Sequence, residues 1–402
     1  MAAEIKTRSQ QRQPILFSRI DDDTIDVVRG AVFTPNEDGL ITVSEDKSIR
    51  VWLKRETGQY WPSVCHFVAS PCSSMFYSPE SKRLFVGQDN GNIDEFEVSE
   101  DYNRVDHRRT YLAHQKEATG CVFAHSTHVM VSCGKDRYIV WHLTQNGQRL
   151  GGYQTPYNPV CIEYDVQSHY VFAGLANGEI TVLKINKNDS ELVTSLKGHS
   201  GSITCLCWDP DKQILYSGSS DKVIILWDIG SKKGTAIELQ GHESKVTSLQ
   251  YSARTQQLIS TSNEGSMVVW NMDIKRNVTP VWLESNQCTK CKQPFFWNFK
   301  QMWSDKTLGL RQHHCRKCGI AVCASCSTKR TTIPLYGFEF EVRVCEECYK
   351  SISDEDRAPT ASFYELKHNV TFSCADWKRG WLVTCGSDRS IKLWDLKHVV
   401  TK

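Results

Sequence analysis

Four C-x-x-C pairs fall within 61 residues: Cys288 with Cys291, Cys315 with Cys318, Cys323 with Cys326, and Cys345 with Cys348. Eight thiolates at this spacing are the ligand count of two closed tetrahedral metal sites, and structural zinc is the expected ion. Four sulfurs on each ion leave no position for a reactive water, so zinc catalysis is not expected. Spacing alone does not say which pairs share an ion. Around the second pair runs RQHHCRKCG, residues 311–319, with two histidines and three cations and no acid. Those cations would repel a metal. They call for an anionic ligand instead, and a phosphate suits the fork geometry of arginine and the hydrogen-bond donors of histidine.

The rest of the chain confines such an anion site to a local patch. Its 402 residues carry a net charge of +2, which excludes a globally basic nucleic-acid binder. The opening MAAEIKTRSQQRQ lacks the apolar core of a secretory signal, and no run approaches the roughly 18 to 20 apolar residues of a membrane span. A soluble intracellular protein is expected. Of seventeen cysteines, nine lie outside the paired block, several in strand-like runs such as SITCLCW with Cys205 and Cys207. There a reduced cysteine acts as a small apolar residue, as in a reducing cytosol. No phosphate-cradling lysine loop, G-x-S-x-G elbow or dinucleotide glycine pattern is present, so the expectation is a binding protein and not an enzyme.

A repeat must position the cysteine block. Strand ends of one kind recur at Trp52, Phe96, Trp141, Leu183, Trp227 and Trp270 in steps of 42 to 45 residues, and the next, Trp394, follows only after 124. All eight paired cysteines lie in that long step, so a metal module interrupts a repeat array. Each repeat holds short alternating strands with polar turns, as in QILYSGSSDKVIILWDI, residues 213–229. In the repeats without Trp, Asn90-Gly91 and Asn177-Gly178 predict two-residue hairpin turns of the I′ type.

These units resemble WD repeats: Gly198-His199 and Gly241-His242 supply the GH pair, weaker forms stand at Ala113-His114 and Lys367-His368, and an Asp in the turn precedes Trp-Asp. The resemblance implies a mainly β protein, a seven-bladed β-propeller, with His199, Ser217, Asp221 and Trp227 as a buried structural tetrad. A hydrolytic triad is the weaker reading, because an active site is not repeated every 43 residues or so. PILFSRI, residues 14–20, is expected to close the ring as the outer strand of the last blade.

The cysteine block resembles the FYVE zinc finger, through RQHHCRKCG, then VCASC and the RVC that ends in Cys345. That resemblance implies crossed pairs: Cys288, Cys291, Cys323 and Cys326 on one Zn²⁺, and Cys315, Cys318, Cys345 and Cys348 on a second. It also implies phosphatidylinositol 3-phosphate as ligand, with Arg311, His313, His314, Arg316 and Arg343 on the headgroup and Leu308 and Leu310 entering the bilayer. Residues 281–352 hold eleven Lys/Arg and six Asp/Glu, and two zinc ions with eight thiolates bring the module close to neutral, so recognition depends on local placement. Ser285 stands where the family carries the Asp of its WxxD element, with Glu284 one position earlier, and Gln312 replaces a basic residue. The aromatics Phe295, Phe296, Trp297, Phe299 and Trp303, with Met302, are expected to pack in the finger or against the propeller.

The chain as a whole resembles the WD-repeat and FYVE domain-containing family, with the finger between blades six and seven. The implied organisation is blades one to six over 14–280, finger 281–352, linker 353–363, and the last repeat over 364–399. The implied role is a peripheral membrane scaffold, shared between the cytosol and the cytoplasmic face of early endosomes, that positions signalling or trafficking proteins through its propeller faces and binds no nucleic acid. Two other readings follow from the same residues. One is a soluble adaptor with a purely structural finger; the other, a RING-like ubiquitin ligase, lacks the required Cys and His spacing.

Overall fold

A computed structural model describes residues 13–21, 26–187, 189–230, 235–305 and 308–400. Seven antiparallel sheets, one per repeat, stand side by side around a central channel, giving a seven-bladed propeller. Each repeat's second strand is buried on both faces because neighbouring blades cover it, as in Gly39–Ser44 and Arg83–Gln88. Outer strands are more exposed, and Tyr60–Phe67 alternates buried or half-buried with exposed positions. Ring closure follows the expected route: Ile15–Ile20 pairs antiparallel with Ile391–Asp395. The closing strand joins the two ends of the chain, so the propeller has no long unpaired edge at its seam.

The hairpins at the Asn-Gly pairs are not I′ turns. Only the glycines have positive φ, +90° at both Gly91 and Gly178, and the N–H of Gly91 returns to the carbonyl of Gln88 at 3.0 Å. This is a three-residue loop that ends in one left-handed residue. Equivalent positions hold Lys47, Arg137, Lys222 and Arg389, also left-handed. There the preceding aspartate steadies the turn: Asp46, Asp136, Asp221 and Asp388 each accept the N–H two residues on. At Gly91 a side chain has no room, since a Cβ would lie 2.2 Å from the carbonyl of His114.

The best tetrad forms as expected. His199 donates from Nδ1 to Asp221 at 3.0 Å, its Nε2 meets Ser217 Oγ at 2.8 Å, and Trp227 Nε1 donates to the same hydroxyl at 2.8 Å. His242 makes the equivalent contact with Ser260 at 2.6 Å, but Ser266 takes the place of Asp. Thr384 serves His368 and Trp394 in the last blade. The second blade replaces the tetrad with a buried network in which Gln88 and Thr110 both bond Asp94. The recurrence of these buried groups makes them fold determinants.

The insertion point is finer than a gap between repeats. The strand that completes the sixth sheet, Ala361–Glu365, comes after the finger and pairs with Ser266–Asn271. The finger is therefore threaded between the third and fourth strands of that sheet. The stretch read as linker, 353–363, accordingly ends inside a strand, because Ala361, Ser362 and Phe363 are needed to cover Trp270, Val269 and Val268.

Candidate functional site

The finger builds its own small core from Phe295, Val322, Ile333, Phe338, Val344 and Ile352 together with buried cysteines. Its two-residue strands pair His313 with Val322 and His314 with Ala321, and a hairpin joins Arg330–Ile333 to Phe338–Arg343. The hairpin docks edge-on against the outer strand of the fifth blade. Gln240 N–H donates to Gly337 O at 2.8 Å, and Asn277 N–H to Leu335 O at 2.8 Å. Gly337 is left-handed at φ +79°, and a Cβ there would meet Glu238 O at 1.7 Å, so only glycine allows this approach. At the two crossings between domains, buried Arg276 donates to Asn271 O at 2.7 Å and to Thr360 Oγ1 at 3.2 Å, while Glu339 accepts from Thr360. The finger is held by both of its ends and by a sheet edge.

The cysteine sulfurs gather in two groups, Cys288, Cys291, Cys323 and Cys326, and Cys315, Cys318, Cys345 and Cys348, each with all four atoms within 4.8 Å of one another. These are the crossed pairs that the finger resemblance implies. A tetrahedron with Zn–S bonds of about 2.3 Å has S–S edges of about 3.8 Å, and Cys291 and Cys323 stand 3.8 Å apart. The N–H groups of Cys323 and Cys345 donate to the sulfurs of Cys288 and Cys315, both at 3.3 Å. Burial alone would raise the Cys288 thiol, but N–H donors from Cys291, Cys323 and Lys290 outweigh it and lower the group to about 7. Burial and then the neighbouring sulfurs push Cys326 up to about 12. Four thiolates can coexist in so small a space only around a cation, and two Zn²⁺ ions fit the two groups.

Beside the second cysteine group lies a cavity of about 370 Å³, walled by Trp282, Gln312, His313, His314, Arg316, Arg330, Glu341, Val342 and Arg343. Four of the five headgroup candidates, His313, His314, Arg316 and Arg343, stand on its wall. Arg311 is exposed and lies outside it. The two basic motifs meet because Arg316 N–H donates to Arg343 O at 3.1 Å. Trp282 forms a floor: its ring stacks on His314 at 4.9 Å and 11°, and the Arg316 guanidinium lies over it at 4.6 Å. Arg343 is steadied by donation to Ser327 O at 2.7 Å. Partial burial, then the charges of Arg343, Arg311, Arg316 and Arg330, hold His313 below the ordinary histidine pKa.

His314 is buried, and its Nε2 has no hydrogen-bond partner; the same is true of Gln312 Nε2. Burying an unpaired donor or acceptor costs about 1 to 3 kcal/mol, which an incoming polar ligand removes. Neither Glu284 nor Ser285 belongs to the cavity wall: Ser285 Oγ donates to Gln287 O at 2.7 Å in a local turn. Arg330 and Glu341 do belong to it, and no motif flagged them. The usable signal was register, because Arg330 pairs with Arg343 across the hairpin.

Two expectations for the apolar residues change. Leu308 is 88 % exposed, whereas Leu310 packs on the finger core and bonds Pro294 O through its N–H. Phe295 is fully buried as expected, but Phe296 and Trp297 are exposed, and the helix Phe299–Asp305 turns Phe299 and Trp303 to solvent at 73 % and 87 %. Composition predicts burial for such side chains. A seven-residue helix on a metal-held frame has too little surface beneath it to cover them.

The FYVE zinc finger profile matches residues 282–354, and the WD domain, G-beta repeat profile matches 22–52, 190–228, 233–271 and 362–395. The chain is 56 % identical over 401 residues to WD repeat and FYVE domain-containing protein 2 of Homo sapiens, covering all of both chains. It is 55 % identical over 400 residues to protein 1 of that name from Homo sapiens, covering 100 % of this chain and 97 % of the other. Against protein 2 of Caenorhabditis elegans the identity is 39 % over 410 residues, with 99 % and 98 % covered. Among solved structures, the crystal structure of the WD40 beta propeller domain of Doa1 matches at a TM-score of 0.60 and 14 % identity, covering 94 % of this chain and 96 % of that one, which is a likeness of fold.

Proposed function

Since the chain belongs to the WD repeat and FYVE domain-containing proteins, we propose that it is a peripheral membrane scaffold that binds phosphatidylinositol 3-phosphate on the cytoplasmic face of early endosomes. The observation that carries this reading is the cavity in which Arg316 and Arg343 converge beside the unpaired nitrogens of His314 and Gln312. Guanidinium groups on a frame clamped by metal lose little freedom on binding a phosphate, which favours affinity. The two zinc ions supply the clamp, and the chain's own residues supply every contact to the headgroup.

A headgroup alone gives weak anchoring, and a second, apolar signal makes it stable. Exposed Leu308 supports that part of the reading, and exposed Phe299 and Trp303 widen it. The segment 308–310 lies against Phe296 and Met302, as shown by the close approach of Gly309 to both. Each such side chain contributes about 1.5 to 3 kcal/mol when fully buried. Leu310, packed inward, is left out of the proposed insertion.

The propeller then serves as the platform, with its faces free for signalling or trafficking proteins. Its buried His, Ser and Asp groups are occupied in holding blades together, which favours a binding role over a catalytic one. Sheet-edge docking of the finger means that engaging a membrane also orients the propeller. Co-sedimentation of the full-length chain with vesicles containing phosphatidylinositol 3-phosphate tests the reading. Arg343→Ala should abolish retention on that lipid. Equal retention of wild type on all anionic vesicles would leave only a nonspecific patch, and no retention would favour a soluble adaptor with a structural finger.

A further inference from the structure

Arg330 and Glu341 stand on the cavity wall without any role from the motifs, and both belong to the hairpin Arg330–Ile333 and Phe338–Arg343. Arg330 lies directly opposite Arg343. Like charges so placed destabilise a strand pair, and neither arginine has an ion-pair partner among the described residues. A phosphate held between the two would remove that repulsion. Glu341 precedes Arg343 by two residues, so both side chains start from one face of the strand.

An acid is unexpected in a cavity that serves a phosphate alone. It makes sense opposite the rest of a phosphorylated ring, because a carboxylate accepts hydrogen bonds from hydroxyls and repels any further phosphate. The carboxylate expected near Trp282 is missing: Ser285 is engaged in its own turn, and Glu284 is off the wall. The cation missing at Gln312 is likewise offset by Arg330. We propose that Glu341 is a specificity-determining residue that accepts from the free ring hydroxyls and rejects inositol rings phosphorylated at those hydroxyls, while Arg330 shares the 3-phosphate with Arg343.

This inference rests on the headgroup reading above and is tested separately from it. Full-length, zinc-loaded protein is titrated with vesicles of equal total charge that carry phosphatidylinositol 3-phosphate or the 3,4- or 3,5-bisphosphate. Water-soluble inositol 1,3-bisphosphate and its 1,3,4-trisphosphate counterpart are added as competitors, to separate headgroup contacts from membrane contacts. Glu341→Gln should lose about threefold to tenfold on the monophosphate, whose hydroxyls lose a charged acceptor, and gain about tenfold on the bisphosphates, in vesicles and in competition alike, so that the preference collapses. Glu341→Asp should restore the preference. Arg330→Ala should lose about tenfold on the monophosphate, with Arg330→Lys recovering part of it. Two zinc ions per chain in each variant certify the fold. An unchanged preference in Glu341→Gln, or wild-type binding by Arg330→Ala, overturns the inference while the headgroup reading stands; a wild type that ignores the monophosphate overturns both.

Discussion

Two buried histidines of the propeller, His199 and His242, and one of the finger, His314, are held in opposite ways. In the propeller, His199 and His242 bond through both ring nitrogens, and each closes a chain of polar groups that recurs from blade to blade. In the finger, His314 is just as buried, yet Nε2 is unpaired and turned to a cavity walled by arginines. Satisfied polar groups stabilise a fold and are replaceable by other satisfied groups, as the second blade shows with its Gln88 and Asp94. Unsatisfied ones cost stability, and the propeller carries some too, such as His142 Nδ1; at His314 it is the adjoining arginine-walled cavity that points to a ligand. The two regions also differ in what holds them: blades pack apolar side chains between sheets, whereas four of the eleven buried residues in the finger's core are cysteines of the metal groups.

Metal removal should separate the regions most sharply. Each zinc contributes on the order of 10 kcal/mol in small zinc modules, so chelation should open residues 281–352 to protease while the blades stay resistant. Simultaneous loss of both would break the comparison. Acid competes with zinc for the thiolates and should also act on the blades. Burial lowers His242 to about 4, and burial followed by the Lys392 charge lowers His368 to about 4. With the folded pKa below the unfolded value near 6.5, the unfolded chain takes up more protons in between. Stability is therefore complete above about pH 6.5 and falls as pH drops toward 4, by on the order of 3 kcal/mol for fully buried His242. A melting temperature flat over that range would contradict this.

Smaller effects sharpen the contrast. Ser217→Ala removes the hydroxyl shared by His199 and Trp227. It should cost about 1 to 3 kcal/mol in denaturant unfolding and leave vesicle binding unchanged. Trp303→Ala should do the reverse: this side chain is 87 % exposed, so melting should not move, while vesicle retention falls by roughly tenfold. Loss of stability without loss of binding would return the aromatics to the finger's core.

The repeats were legible because a propeller restates its pattern in every blade, and one good copy at His199 identifies weaker ones at His114 and His368. The cysteines were legible because a metal fixes its ligand number. Leu310, expected at the bilayer by resemblance, packs inward instead, while Phe296, Trp297, Phe299 and Trp303, expected to pack, stay outside: hydrophobicity says that a side chain prefers an apolar surrounding, not which side chains a small module has room to cover. Ala361 was misassigned to a linker because an insertion hides the count of strands. Arg330 was invisible, since its relation to Arg343 exists only across a hairpin; Glu341 stands two residues before Arg343 on the same strand, but no motif marked it.

Sequence alone determined the ligand count, the blade number and the basic motifs that contribute Arg316 and Arg343 to the cavity, because each is set by residue type at short or periodic spacing. Only the tertiary structure decided which sulfurs share an ion, how the finger leans on the fifth blade, and which apolar side chains stay outside. Those are contacts between residues far apart in the chain, and local patterns carry no record of them until the backbone closes.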